Sequence, residues 1–259
     1  MISRNGVRFI ISIWCCWIGL LSSSYAGDDS VWRQVAPGIA YQSIPLVTIS
    51  PISTMHIFRV SLKSNHLDLV VAHDHQASHL SVQQMANLSH ALIAVNGGFF
   101  TPEAKMLGLR VQRGKMRNPI KGTNWWGVFY IRQQQAHIIP YKAYDSHQAV
   151  SFAIQAGPRI VIDGKVPKLK AGFAERTALG IDKQGRVLLL TTQNAFMTTT
   201  ALAQILLDPR YQLHCQDAIN LDGGSSSQLF ARFKALQVHV PSFSAVTDGI
   251  IVLPNVGPV

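Results

Sequence analysis

Acidic residues and cysteine are what this chain has least of. It carries 13 Asp and Glu against 23 Lys and Arg in 259 residues, a formal charge of +10. Only three cysteines occur, and two of them, Cys15 and Cys16, adjoin in an apolar run near the start. Charged residues make up 14% and hydrophobic ones 47%, which excludes a disordered polyelectrolyte and supplies a sizeable core. Familiar site patterns are missing as well. There is no G-x-x-x-x-G-K-[ST] and no G-x-G-x-x-G, so nothing indicates a nucleotide-cradling loop. GGSSS lacks the glycine two positions after the serine that a hydrolase elbow requires. LDGG lacks the spaced oxygen ligands of a calcium loop. Low-complexity tracts and interdomain linkers are absent too.

What is present begins with a three-part N-terminus. MISRNGVR carries Arg4 and Arg8, FIISIWCCWIGLL is a short apolar run, and Ser24-Tyr25-Ala26 has the small residues of a cleavage site. That order is a secretory signal peptide over residues 1–26 and predicts a periplasmic or secreted protein. The run is short for a membrane span, so no transmembrane segment is expected after cleavage. Cleavage leaves Cys215 as the lone thiol, which excludes an internal disulfide. Two basic residues leave while the 13 acids stay, so the charge falls to +8. An exported basic protein points to acidic partners such as anionic envelope polymers or phosphate-bearing substrates.

Residues 27–55 are expected to form an N-terminal segment of one or two strands, and 56–259 the main domain. Phe58, Val60 and Leu62 alternate with Arg59, Ser61 and Lys63, the pattern of a half-buried strand. LDLVVA, ALIAV, WWGVFYI, VSFAIQ, RIVI, TALGID and RVLLLTT add strands, with turns at Asp163-Gly164 and Gln184-Gly185. Two helices are predicted. Ser81–His90 sets Val82, Met85 and Leu88 on a face; Thr198–Leu207 sets Ala201, Leu202, Ile205 and Leu206 on one side and stops at Asp208-Pro209. Strands outnumber helices, so the fold class is α+β, a single domain on a large mixed or antiparallel sheet with a few packed helices.

One internal echo stands out. A helix, an apolar strand and Asn-Gly-Gly occur at 81–98, and a helix, an apolar strand and Asn-Leu-Asp-Gly-Gly at 201–224. If the two strand ends meet, Asn96 and Asn220 wall one polar cleft. Asp222 sits at a strand exit before two glycines, where a side chain faces a cleft. Glu175 and Asp217, and more weakly Glu103, are the other carboxylates in such contexts. Arg176 offers a fork to phosphate or carboxylate; a structural ion pair is the alternative. His73-Asp74-His75 with His79 has metal-ligand alternation but no partners at ligand spacing, so a solvated loop is expected. The run with Arg110, Arg113, Lys115, Arg117 and Lys121 before Trp125-Trp126 admits two readings. One is a grip on nucleic acid or on a phosphorylated sugar; the other is a hairpin turning at Gly114-Lys115 with its charges in water. Nothing else favours nucleic acid.

In order, AVNGGFF, QAGPRIVIDGKV, ERTALGIDKQGRVLLLTT, TTTALAQILL and DAINLDGGSSSQLF resemble the phosphodiester glycosidase domain family, over roughly Ile57 to Leu253. That family includes the lysosomal enzyme that removes N-acetylglucosamine from a phosphodiester on mannose, and this chain looks most like its exported bacterial members. The resemblance implies cleavage of the bond between an anomeric carbon and a phosphodiester oxygen. It implies a site made of Asn96, Gly97 and Gly98, of Arg176 with Glu175 beside it, and of Asn220, Asp222, Gly223, Gly224 and Ser225. Gly157, Pro158 and Arg159 match a block lining the same cleft. Asp222 is the implied carboxylate at the anomeric carbon, with Glu175 or Asp217 as a second. Backbone N–H groups at Gly223-Gly224 would join Arg176 in meeting charge on the departing phosphate, and Trp125 or Trp126 would stack on a sugar. The implied partner is a sugar-phosphodiester or another anionic glycan, bound by an envelope protein without turnover in the alternative reading. No cofactor is implied, and a divalent cation stays open. The chain departs from the family in two places: QNAFMTTT precedes the second helix where a glycine-containing loop is usual, and Ser225 replaces a third glycine.

Overall fold

The computed structural model describes Met1 and residues 31–255; the signal-like segment lies outside them. In chain order the first half holds β1 (Arg33–Ala36), β2 (Ile39–Pro45), β3 (Thr54–Val60), β4 (Asn65–Val71), α1 (Val82–Ser89) and β5 (Ile93–Asn96). Then come β6 (Arg110–Gln112), β7 (Lys115–Asn118), β8 (Gly127–Arg132), β9 (Gln135–Pro140), β10 (Phe152–Ala156) and β11 (Arg159–Val161). The last third holds β12 (Thr177–Asp182), β13 (Val187–Gln193), α2 (Thr199–Leu207), β14 (Cys215–Asn220), β15 (Leu229–Phe233), β16 (Leu236–Val240) and β17 (Asp248–Pro254).

The fold is α+β and rich in sheet. Instead of one large sheet, the strands form three antiparallel ones, ordered β1-β2-β3-β13-β12-β14-β11, β7-β6-β10-β8-β9 and β16-β15-β5-β17-β4. β1 and β2 lie in the same sheet as β12–β14, so the N-terminal strands are part of the main body. A central apolar cluster draws on all three sheets, with Phe58, Leu69, Val95, Phe129, Phe152, Leu179 and Ile250 among its buried members. Strands sandwiched in this way read as apolar runs rather than alternating ones. Each helix covers an outer face: α1 packs on β5, β15 and β17, and α2 on β11 and β14.

Helix starts follow the sequence closely. Ser81 caps α1 with a full capping box, its hydroxyl accepting from Gln84 N while Gln84 accepts from Ser81 N. Thr198 caps α2 by accepting from Ala201 N. The buried faces differ from expectation. On α1, Val82, Met85 and Ala86 are buried and Leu88 is exposed. Two steps of three residues carry Leu88 about 120° round a 3.6-residue helix from Val82, off the core stripe. On α2 the buried stripe is Thr199, Leu202, Ala203 and Leu206, with Ala201 and Ile205 half-buried at its edges.

Two basic positions read as solvated are inside. Arg59 on β3 is buried, lies over the Trp32 ring at 3.8 Å, pairs with Asp182 at 3.3 Å and donates to Gln212 O at 2.7 Å. Burial lowers its pKa to about 10. The basic run does form a hairpin, β6–β7, with both Arg113 and Gly114 at positive φ. Its charges are not all in water, however. Arg110 is fully buried against Asp248, Arg113 pairs with Asp68, and Arg117 takes Asp74 through both carboxylate oxygens. Those three forks are taken by acids, while Lys115 and Lys121 stay exposed.

Candidate active site

The two strand ends that echo each other in sequence meet in space, although they come from different sheets. Asn96 ends β5 and Asn220 ends β14. Asn96 Nδ2 donates to Asp222 O at 2.8 Å, and Asp222 N reaches Gly97 O at 3.4 Å. Asn96 Oδ1 accepts from Thr177 Oγ1 at 2.8 Å and from Gln228 N at 3.2 Å. The residue is fully buried and its amide is committed at both ends. Its side chain therefore staples β5, β12 and the β14 turn together beneath the site.

The glycines after Asn96 answer a different demand. A Cβ on Gly97 would stand 2.5 Å from Asp248 Oδ2, and one on Gly98 would stand 2.9 Å from Arg110 Cζ. The Arg110–Asp248 pair, 2.6 Å apart with neither side chain accessible, fills the space directly under this turn. Arg110 also donates to the Leu109, Gln155 and Leu107 carbonyls, at 3.1 to 3.2 Å. A buried pair that is this fully hydrogen-bonded holds its geometry.

Above the turn lies a cleft of about 610 Å³ lined by Asp222, Gly223, Gly224, Asn220, Arg176, Gly157, Pro158, Phe99, Trp125, Thr199 and the segment from Lys168 to Gly172. Asp222 is half-buried. Burial raises its pKa above the ordinary Asp value, and the Ser226 hydroxyl and Gly223 N pull it back; the charge of Asp248 raises it further. Arg176 donates through Nε to Met197 O at 2.9 Å and through Nη2 to Gly172 O. Among the described residues no carboxylate pairs with it, and burial lowers its pKa. A guanidinium held by carbonyls and facing a cleft is a ready anion site, so the structural ion pair is not what Arg176 makes. Asn220 is 4% exposed, and its Oδ1 has no partner among the described residues while Nδ2 serves Leu221 O.

Several sequence-marked residues sit elsewhere or do other work. Glu175 Oε1 accepts from Asn194 N at 2.8 Å and does not line the cleft. Asp217 accepts from Asp163 N at the β11 turn, and burial raises its pKa. Glu103 lies on an exposed loop. Arg159 packs its aliphatic stem over Gly127 rather than into the cleft. The N–H groups of Gly223 and Gly224 are spent internally, on Asp222 Oδ1 at 3.0 Å and Glu175 O at 2.8 Å. They are therefore not free donors for a phosphate. Gly224 has φ +61, and a Cβ on Gly223 would stand 2.8 Å from Glu175 O, so this pair serves the turn itself. Ser225 is exposed and gives its carbonyl to the Ser242 hydroxyl. Trp126 is core, stacked on Phe99 at 5.0 Å, whereas Trp125 is 57% exposed on the cleft wall. His73 and His75 are exposed on a single short turn beside the Arg117–Asp74 pair. Among the described residues no three His, Cys, Asp or Glu side chains cluster as metal ligands would.

Missed from the sequence were Lys168 and Lys170 on the cleft wall and the Arg110–Asp248 pair below it. Asp248-Gly249 at the head of the apolar run IIVL was a readable signal, since it repeats the carboxylate-then-glycine form of Asp222-Gly223. A cavity of about 650 Å³ opens elsewhere, along Ala36, Leu62–Leu67 and Asn255; it contains no carboxylate and none of the marked residues.

The model of the phosphodiester glycosidase family matches residues 89–253, which span both Asn-bearing turns. The chain belongs to the phosphodiester glycosidase family. The catalytic domain of zebrafish N-acetylglucosamine-1-phosphodiester alpha-N-acetylglucosaminidase, auto-inhibited by its pro-peptide, shares the fold with a TM-score of 0.63 at 19% identity, over 85% of each chain. A hypothetical protein from Synechocystis does so with a TM-score of 0.58 at 15% identity, over 85% of this chain and 64% of that one. In sequence, the uncharacterized protein YigE of Escherichia coli is 27% identical over 143 residues. That match covers 51% of this chain and about half, 55%, of YigE.

Proposed function

We propose that this protein is an exported hydrolase that cleaves the sugar–phosphate bond of a glycosyl-1-phosphodiester, with an envelope polysaccharide as its setting. The observation that carries the reading is that Asp222 and Arg176, of opposite charge and unpaired with each other, line one cleft together with Asn220. Trp125 supplies an exposed aromatic face for the ring.

In the reaction the bond from the anomeric carbon to the phosphodiester oxygen breaks, and the phosphate leaves with the electron pair. Its charge rises as it leaves, so Arg176, with Nη1 uncommitted, holds the product side more tightly than the ground state. Phosphate departs readily without a proton. Asp222 is the one carboxylate among the described residues lining the cleft, which is thus compatible with turnover. Asp222 serves the developing oxocarbenium carbon either as nucleophile or as base for water; retention or inversion at that carbon distinguishes the two.

The single carboxylate also favours a second reading, a non-catalytic envelope protein that binds phosphorylated glycans. Both are tested by incubating the mature protein, with and without chelator, with sugar-1-phosphodiesters and following free sugar. Release that Asp222→Asn and Arg176→Ala each abolish in folded protein supports the hydrolase. Binding without release leaves the second reading, and full activity in both variants overturns the assignment of the site. Export rests on the order of residues 1–26, and sequencing the secreted protein should find a new N-terminus near Gly27.

A further inference from the structure

Exposed apolar side chains are not scattered evenly over this molecule. Val47 and Ile52, 67% and 69% exposed, sit with Ile49 on the turn joining β2 to β3. That turn is tied to the next by the Ser53 hydroxyl, which donates to Asn194 O. Beyond Asn194 comes Phe196, 62% exposed, and across an antiparallel bridge between Ala174 and Met197 comes Phe173, 77% exposed. The bridge register puts Phe173 and Phe196 diagonally on one face. Three turns joined in space therefore carry five large apolar side chains into solvent, a concentration that marks a contact surface. Phe173 adjoins Gly172 and Ala174 of the cleft wall, and the same segment bears Lys168 and Lys170. Both lysines are exposed, and neither has an ion-pair partner among the described residues.

We propose that this face docks the protein onto an anionic lipid bilayer, with the cleft mouth held at the headgroup level. Apolar tips entering the acyl boundary beside unpaired lysines are the features an interfacial protein uses. Charge complementarity decides the occupant. With Arg176, the cleft wall and its rim present three cations against one carboxylate, more than a single phosphodiester would neutralise, and an anionic surface matches that excess. The inference rests on the functional reading only in that the same mouth receives the substrate, which would then be a surface-borne glycosyl phosphate.

The test is co-sedimentation of the full mature protein with phosphatidylcholine vesicles containing about one-third phosphatidylglycerol, against phosphatidylcholine alone, and it needs no turnover. Preferential binding to the anionic vesicles is expected, weakened by salt. The double variant Phe173→Ser/Phe196→Ser should lower partitioning at least about tenfold. Lys168→Gln and Lys170→Gln should each lower it about fivefold, on anionic vesicles only. Leu88→Ser, an exposed apolar position on α1, should change nothing. Thermal unfolding verifies that every variant is folded. Equal binding to both vesicles, no binding, or an equal loss in Leu88→Ser overturns the proposal. A dimer that dissociates in the phenylalanine double variant also overturns it, by assigning the face to a second copy. Loss of hydrolysis with vesicle binding intact would instead refute the enzymatic reading alone.

Discussion

Gly97→Ala probes the most tightly built part of the site. No left-handed backbone is required at Gly97, so an alanine there meets a steric obstacle and not a conformational one. Its Cβ would lie 2.5 Å from Asp248 Oδ2, 2.7 Å from Asp248 Cγ and 2.9 Å from Asp248 O. The carboxylate cannot retreat freely, because Arg110 Nε holds it at 2.6 Å and the Thr247 hydroxyl at 3.2 Å, with both ion-pair side chains fully buried. Breaking such a pair costs about 3–5 kcal/mol. Alanine restricts the unfolded chain and returns about 0.4–1 kcal/mol. The net loss is therefore about 2–4.6 kcal/mol, a fall in Tm of roughly 4–18 °C for a domain of this size. Urea unfolding at constant m-value measures it. Gly122→Ala is the matched control, since a Cβ there meets nothing within 4 Å. If Gly97→Ala unfolds within about 0.5 kcal/mol of that control, the claim that an ion pair fills the space under the turn is wrong.

Further outcomes follow from the same geometry. Arg110→Met and Asp248→Leu should each destabilise by about 3–5 kcal/mol while the double variant loses far less, as equilibrium unfolding of all three will show. Asn96→Ala strips partners from the Thr177 hydroxyl and Gln228 N, and should cost about 1–3 kcal/mol for each in a denaturant titration. Because burial raises the pKa of Asp222, its ionised form is the disfavoured one in the folded state. That stabilising bias toward the protonated form is present below the unfolded pKa and lost as pH rises through the folded pKa. Asp222→Asn should then be more stable than wild type at neutral pH, with the gap closing toward about pH 4 in parallel urea titrations. Hydrolysis, in contrast, should fall on acidification with a midpoint above the ordinary Asp value. Cys215, its thiol pKa pushed up to about 12 chiefly by burial, should resist disulfide exchange reagents at pH 8 until the protein unfolds.

Local signals carried much of the fold. Ser81 and Thr198, each just before a periodic stretch, located both helices, since a cap acts within a single turn. The echo of Asn-Gly-Gly with Asn-Leu-Asp-Gly-Gly located the meeting of two strand ends, because each ends an apolar run that has to be buried. Three-sheet layering was not legible, because a strand covered on both faces looks the same whichever sheet it joins. Arg59 and Arg110 failed for a related reason: their partners Asp182 and Asp248 are 123 and 138 residues away, beyond any local pattern. Asn220 and Asp222 were found as cleft residues, yet the glycine N–H groups beside them were assigned to a ligand when the turn itself uses them. Sequence marks where a turn must be glycine; it does not say whether a ligand or a neighbouring side chain makes the demand.

The Asn96–Asp222 bond joins residues 126 positions apart, drawn from separate sheets. The second half of the polypeptide supplies Asp222, Arg176 and Asn220, while the first supplies the Asn96 amide that braces the turn beneath them. A chain interrupted anywhere between those positions has to recover the whole juxtaposition before the cleft is complete. The finished cleft thus doubles as a readout of complete assembly, and a partly folded molecule would present no such pocket to any ligand.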